Sequence, residues 1–388
     1  MSYKRLFSRA LAAAPERLHM AAHSHHLWPD VTRDAQLEYW EDSARHADRK
    51  WDRIFGEVWP EAQKHVAREL ELPSHDTVVF APNTHDLLVR LVSAVERKPV
   101  RILSTDGEFH SFRRQAARWS ETADFSVELV PTEPFDDFPE RFAERAREGR
   151  YDLIFVSHVF FQSGGVYDRV LELAELSKPE GPWLVVDGYH AFMATPATLG
   201  PAADRAFYLG GGYKYAMAGG GAAFLHAPPG FGPRPAITGW FAEFGALTAP
   251  PGGVGYSADA GRFLGATFDS SPLYRFNAVR RMLDAEGLTT AGVSSHVHPL
   301  LDDLLDRVSD GQAGRLRSAR VLNPPGDGGR ARFAAFRHPQ AALWHSLLKD
   351  AGVITDVRGH VLRVGLGLYH DAKDIERFCA VCRDVLGD

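Results

Sequence analysis

A lysine flanked by two tyrosines, Tyr213-Lys214-Tyr215, follows the glycine pair Gly211-Gly212, and an acid stands a short way upstream. Trp183 to Asp187 (Trp-Leu-Val-Val-Asp) reads as a buried strand ending in a carboxylate, with His190 three residues on, and Arg205 to Leu209 reads as the next strand. An aspartate at one strand end and a lysine just past the next suit pyridoxal phosphate (PLP) chemistry. The lysine forms a Schiff base, and the acid keeps the pyridine nitrogen protonated so that the ring can take up electrons. Singly, either residue is an ordinary surface charge; the strand ends and the glycines carry the reading.

Further candidates fall at similar places. Asn83-Thr84 lies between a strand and a helix, where free N–H groups and the helix dipole favour an anion; the plain alternative is an N-cap. Phe109, after the strand Arg101 to Thr105, is placed to stack on a pyridine ring or to pack into the core. His190 is placed to orient Asp187, to touch the cofactor or to cap a helix. Arg363 sits in the apolar run Val361 to Tyr369 and needs a partner, because an unpaired buried charge is costly. A substrate carboxylate held bidentately would serve, as would a structural salt bridge. His23, His25 and His26 lack the spacing and partners of a zinc site, so no metal is expected, and a turn facing the site is the preferred reading.

The elements that must position these residues alternate. Strands are expected at Thr77 to Ala81, Arg101 to Thr105, Ser126 to Val130 and Leu153 to Ser157. The helices are Val31 to Ile54, Pro60 to Leu70, Leu87 to Val95, Gln115 to Glu121 and Arg141 to Glu148. This is the pattern of parallel β/α units with helices on both sheet faces, which bind ligands at the carboxyl ends of their strands. The Pro- and Gly-rich stretch Pro228 to Gly255 reads as loops crossing to a second domain. Beyond Ser271 the pattern is helical to about Val308, strand-like at Arg332 to Arg337 and Val361 to Val364, and helical again from Asp371. The division is an N-terminal segment 1–29 packing near the small domain and the site, a large cofactor-binding domain 30–250 and a small α+β domain 251–388.

Composition bounds the rest. The chain has 388 residues, 45% hydrophobic and 24% charged, with a formal net charge of −6, which suggests neither nucleic acid nor an anionic membrane as partner. The two cysteines, Cys379 and Cys382, fall in an amphipathic C-terminal stretch and read as buried helix-face residues. No apolar run approaches the ~20 residues of a membrane span. Arg9 interrupts what would be the core of a signal peptide, so the cytoplasm is the expected location.

Four dispersed segments resemble kynureninase, within the class V aminotransferase branch of the fold-type I (aspartate aminotransferase-like) PLP enzymes. They are Asp187-Gly-Tyr-His190, Tyr213-Lys214-Tyr215 with Ala218-Gly-Gly-Gly221, Gly239-Trp240-Phe241, and Leu362-Arg363 through Tyr369. The resemblance implies an α/β fold with a mainly parallel sheet between helices and a small α+β C-terminal domain. It implies a homodimer with shared active sites and PLP linked to Lys214 and paired with Asp187. Asn83, Thr84, Tyr213 and Trp240 would hold the phosphate, Trp240 from the partner subunit, with Thr267 and His190 also at the cofactor. Phe109 would stack on the ring and Arg363 would take the carboxylate of a small amino-acid substrate. Ser24, His25 and Phe161 would face the substrate. The implied reaction is hydrolysis of the Cβ–Cγ bond of kynurenine or a related γ-keto amino acid, releasing alanine, with Lys214 removing the α-proton and Tyr213 shuttling protons. A class V aminotransferase or a PLP-dependent lyase on another amino acid is the alternative. Departures from the kynureninase pattern fall on the substrate side: His23-Ser24-His25-His26, Phe109-His110-Ser111-Phe112, Phe161-Gln162 ahead of Ser163-Gly164, and Ala266 through Pro272. Cysteine desulfuration is disfavoured because no loop cysteine is present.

Overall fold

The computed structural model describes residues 2–196, 199–246, 252–326 and 329–387. Its centre is a seven-stranded sheet: β1 (Val78–Ala81), β2 (Val100–Thr105), β3 (Phe125–Val130), β4 (Leu153–Ser157), β5 (Trp183–Asp187), β6 (Ala206–Gly211) and β7 (Ala223–His226). The spatial order is β1-β7-β6-β5-β4-β2-β3. Strands β6 through β3 pair in parallel, whereas β7 is antiparallel to both β6 and β1. The sheet is therefore mainly parallel, as expected, with β7 as its antiparallel strand. The short strand Ala223–His226 follows the glycine-rich turn with no helix between, so it must return antiparallel. Strands β4 and β6 are buried along their whole length, as expected of strands covered on both faces.

The helices include α1 (Val31–His46), α2 (Trp59–Leu70), α3 (Thr84–Ser93), α4 (His110–Ser120), α5 (Phe138–Glu148), α6 (Ser271–Ala285), α7 (Thr290–Ser309), α8 (Ala341–Asp350) and α9 (Ala372–Leu386). The continuous helix expected from Val31 to Ile54 is broken. Ala47 adopts φ 48°, and a 3-10 turn, a short helix and a π-helical turn follow. The break folds Arg53 back onto Glu38 at 2.5 Å and onto Asp42, so ion pairing at this turn overrides helix propensity. Helices α3, α4 and α5 begin earlier than their apolar periodicity suggests, at Thr84, His110 and Phe138; α3 starts at the Asn83 side-chain cap, whereas α4 and α5 carry no side-chain cap.

A four-stranded antiparallel sheet forms the second layer: β8 (Arg320–Val321), β9 (Phe333–Arg337), β10 (Asp356–Arg358) and β11 (Val361–Gly365), in the order β10-β11-β9-β8. Alternation sorts its faces. Ala334, Phe336, Leu362 and Val364 join the main core, while Phe333, Ala335 and Val361 pack with Val159 and Ala191 beside the end of the large sheet. The N-terminal segment docks on this layer: Leu18 and His19 pair with Val353 and Ile354, and Met20 and Ala22 bond the backbone of Gly365. Helix α6 packs on the large layer through Tyr274 to Asp42 and Asn277 to the Val58 carbonyl. The expected domain boundary between 250 and 251, and with it part of the Pro228 to Gly255 stretch, lies outside the described residues. No helix among the described residues is long and apolar enough to cross a membrane.

Candidate active site

The carboxyl ends of β1, β2, β4, β5 and β6 open into a cavity of about 550 Å³ whose far wall is the small sheet. Ten residues singled out from sequence line it: Ser24, Asn83, Thr84, Phe109, Phe161, Asp187, His190, Tyr213, Lys214 and Arg363. His85, Ser111, Ser157, Tyr189 and Arg358 line it as well, and sequence reasoning missed them. Trp240, Thr267 and His25 are not among its lining residues. Trp240 is 45% exposed on an aromatic ridge with Phe241 and Phe244, and Thr267 is exposed. His25 reaches the site indirectly, its Nδ1 2.7 Å from the Tyr213 hydroxyl.

Lys214 follows the β6 end in a turn closed by Gly212 N–H to the Ala222 carbonyl and Ala218 N–H to the Gly212 carbonyl. Gly221 sits at φ +96° there, and a Cβ on it would lie 2.5 Å from Pro272, so only glycine fits. Arg275 of α6 clamps the same turn by donating to the carbonyls of Ala218 and Gly220 at 2.8 and 3.1 Å. The Lys214 Nζ lies 2.9 and 2.8 Å from the two ring nitrogens of His190, and over the rings of Tyr189 and Phe109 at 4.8 and 5.4 Å.

Burial pushes Lys214 down to about 7; the cations Arg363 and Arg358 add to the shift, and the Asp187 carboxylate opposes it. Burial raises Asp187, against the Tyr189 N–H it accepts at 2.9 Å and the Lys214 charge. His190 is held well below its usual range by burial and by Lys214. It meets the lysine; the Asp187 carboxylate is instead oriented by the backbone of Tyr189. Gly188 must be small because a Cβ there would lie 1.9 Å from the Tyr208 ring.

The N-terminus of α3 forms one end of the cavity, through Asn83, Thr84 and His85. Asn83 is its N-cap, accepting from Asp86 N–H at 2.9 Å, so cap and cavity lining coexist in one residue. Phe109 stands as N-cap of α4 with its ring against Phe161. Glu108 beside it is fully buried, bonded by Thr105 Oγ1 at 2.8 Å, Ser157 N–H at 3.1 Å and Ser157 Oγ at 2.5 Å. Burial pushes Glu108 up to about 8 despite these donors, and nearby Asp187 adds to the shift.

On the far wall Arg363, 2% exposed, donates Nη1 to the Phe161 carbonyl and Nη2 to Asp356. The salt bridge and the place on the cavity that the sequence left as alternatives are both present. The three N-terminal histidines diverge: His23 stacks on Phe333, His25 meets Tyr213, and His26 bonds the Leu27 carbonyl.

These residues fit PLP, with a helix N-terminus for its phosphate, Phe109 for its ring face, Asp187 for its pyridine nitrogen and Lys214, lowered by burial to about 7, for its aldehyde. No family model matches the chain. It is 27% identical to isopenicillin N epimerase of Streptomyces clavuligerus over 318 residues, 75% of each protein. Among solved structures, an apo cysteine desulfurase from Thermococcus onnurineus NA1 superposes with a TM-score of 0.78 at 20% identity, covering 99% of both chains. The cystine C–S lyase C-DES, in complex with its product cysteine persulfide, gives 0.81 at 15% identity over 98% of this chain and all of its own. A lysine-to-alanine variant of that lyase, holding glycine covalently linked to PLP, gives 0.78 at 14% identity over 99% of this chain and all of its own. The chain therefore has the fold-type I architecture of these solved structures, α/β with a seven-stranded mixed sheet.

Proposed function

We propose that this chain is a PLP-dependent enzyme of the class V aminotransferase family acting on a small α-amino acid. The observation that carries the reading is the buried Lys214 amine, held near neutrality in a cavity that also presents Asp187, Phe109 and the α3 N-terminus. When bound, PLP supplies an electron sink for bonds at the substrate α-carbon. Lys214 is then the base for the α-proton, because its amine is free above about pH 7. His190 borders that amine and stays uncharged, and so takes up its hydrogen bond without competing for cationic charge. Tyr213 and His25 form a hydroxyl–imidazole pair on the same side, suited to relaying a proton. Arg363 orients the substrate through its carboxylate, using the buried Nε that has no protein partner.

Transamination or lysis of an amino acid is favoured over Cβ–Cγ hydrolysis, since the similar proteins named above are a cysteine desulfurase, a cystine C–S lyase and an isopenicillin N epimerase. A desulfurase's cysteine nucleophile has no counterpart, as Cys379 and Cys382 are both buried in α9 with burial raising their thiols. Kynureninase-type hydrolysis is the second reading, carried by the four sequence segments. None of the relatives named above is a kynureninase, and of the residues in the departing segments Ser24, Phe109, Ser111 and Phe161 line the cavity. The exposed Trp240 and Thr267, away from their own cavity, suit a homodimer in which each completes the partner's site. Sedimentation would report that dimer.

The test is spectral. Protein mixed with PLP is expected to develop a visible band whose rate of formation rises with pH through about 7, as the amine loses its proton, and Lys214→Ala should lack it. A band unchanged in that variant overturns the lysine assignment. Product analysis with cysteine, cystine, alanine plus a keto acid, and kynurenine then selects the branch; release of anthranilate would restore the hydrolytic reading.

A further inference from the structure

The far wall of the cavity carries more charge than a single substrate-binding arginine explains. In the small sheet Asp356 on β10 stands directly across from Arg363 on β11, and Arg358, two residues on, shares its face. Asp356 bridges the two arginines, with one oxygen on Arg363 Nη2 and the other 2.8 Å from Arg358 Nη1. Both arginines line the cavity, while Asp356 lies behind them. The Nε of each arginine is buried without a protein partner. The remaining neighbour, His23, has its Nε2 3.8 Å from Asp356 and is kept uncharged by burial and by Arg363. Two guanidiniums against one carboxylate leave one positive charge facing the cavity, and one substrate carboxylate neutralises it.

We propose that in the free enzyme Asp356 occupies the place on Arg363 that a substrate α-carboxylate takes, and that Arg358 is the cation onto which Asp356 is released. Binding is then an exchange of carboxylates on Arg363: Asp356 gives up that ion pair, keeps its pair with Arg358, and no proton is moved. Asp356 and Arg358 are positioning residues; neither needs to touch the substrate. The inference rests on the reading of Arg363 and this cavity as the amino-acid site of a PLP enzyme.

The exchange makes a prediction that direct contact or mere support does not. Asp356 competes with substrate, so its removal lifts a conformational tax on affinity. Arg358 holds Asp356 away, so its loss leaves Asp356 clamped on Arg363. The effects must be strongly non-additive, because Arg358 acts only through Asp356.

PLP-loaded protein is titrated with L-alanine, and with L-alaninamide as a control lacking the carboxylate, following the cofactor band. Asp356→Asn is expected to tighten alanine binding by roughly 5-fold and Arg358→Gln to weaken it by roughly 10-fold, while the double variant stays within about 2-fold of Asp356→Asn alone. Alaninamide should move less than about 2-fold throughout. Asp356→Ser serves as a second removal, and thermal unfolding shows that each variant is folded. Weaker alanine binding in both Asp356 variants would make Asp356 a support for Arg363 and overturn the exchange. So would an Arg358→Gln loss that persists in the double variant, no loss in Arg358→Gln, or alaninamide shifting in step with alanine. If no visible band forms, the cofactor reading itself fails. The exchange is then judged by calorimetric titration of L-alanine, which must give the same order of variants.

Discussion

Two walls of one cavity deal with buried ionisable groups differently. On the large-sheet wall, burial drives Asp187 up and Lys214 down to about 7, so both are pushed toward their neutral forms. On the small-sheet wall burial lowers Arg363 from 12.5 only to about 10, so it stays charged, and it is bonded to Asp356 and the Phe161 carbonyl. The first wall is completed by a ligand that brings its own charges, a pyridine nitrogen and a phosphate. The second is already compensated, and a ligand must exchange with a partner in place. Burial thus leaves an amine that titrates near 7 on one side and a guanidinium that stays charged on the other, because the guanidinium starts from a higher ordinary value.

The comparison breaks most visibly at Asp187. Asp187→Ala removes the only acid lining the large-sheet wall among the described residues, and with it the charge that favours a protonated ring nitrogen. Turnover is expected to fall by about 10³-fold or more, consistent with losing a preorganised electrostatic partner, while amino-acid affinity changes little. Loss of affinity without loss of turnover would mean the two walls are not separable. Arg363→Ala is the converse. It should raise KM by about 10²-fold, in keeping with truncating one member of a buried charge pair, and leave the cofactor band intact. A lost band would make Arg363 structural.

How far the sequence reached follows the same division. Lys214, Asp187, Asn83 and Phe109 are legible because each lies at or just beyond a strand end or helix start, a position that local pattern reveals. Arg363 is legible because a charge interrupts an apolar strand. Asp356 and Arg358 are not, since their place beside Arg363 depends on the antiparallel register of β10 against β11, which no local signal encodes. Glu108 likewise reads as one more acid until β2 and β4 are set side by side and bring Ser157 to it. His25 and the break at Ala47 depend on contacts with Tyr213 and Arg53 that are remote or charge-driven.

Glu108 sharpens the picture of the large-sheet wall as one that favours neutral groups. Its folded-state value of about 8 lies above the ordinary value of 4.5, so the native chain keeps a proton that the unfolded chain releases as pH rises. Stability tied to this proton is complete below about pH 4.5 and is lost as pH climbs toward 8. Glu108→Gln carries no such proton and its amide can donate to Ser157. Urea unfolding should show wild type and variant matched near pH 4.5, with the variant ahead by roughly 2 kcal/mol at pH 7. Parallel pH profiles would mean the three donors keep Glu108 ionised.

The smallest effect separates the two roles that Asn83 combines. Its side chain caps α3 through Asp86 N–H, and it lines the cavity. Asn83→Ala loses the cap and is expected to lower stability by about 1 kcal/mol, with cofactor affinity falling only as the helix start frays. Asn83→Asp keeps a capping oxygen and pairs well with the helix dipole. It also sets a negative charge where the phosphate of PLP would lie. Stability should therefore match wild type while phosphate or PLP binding weakens about 10-fold or more, the scale of a like-charge contact in a partly buried site. If both variants lose stability and affinity in proportion, the N-terminus of α3 acts on the cofactor only through its fold. If Asn83→Asp alone loses affinity, the helix start is an anion site in its own right. The large-sheet wall then has a charge requirement at its far end, distinct from the pair Asp187 and Lys214 at its centre.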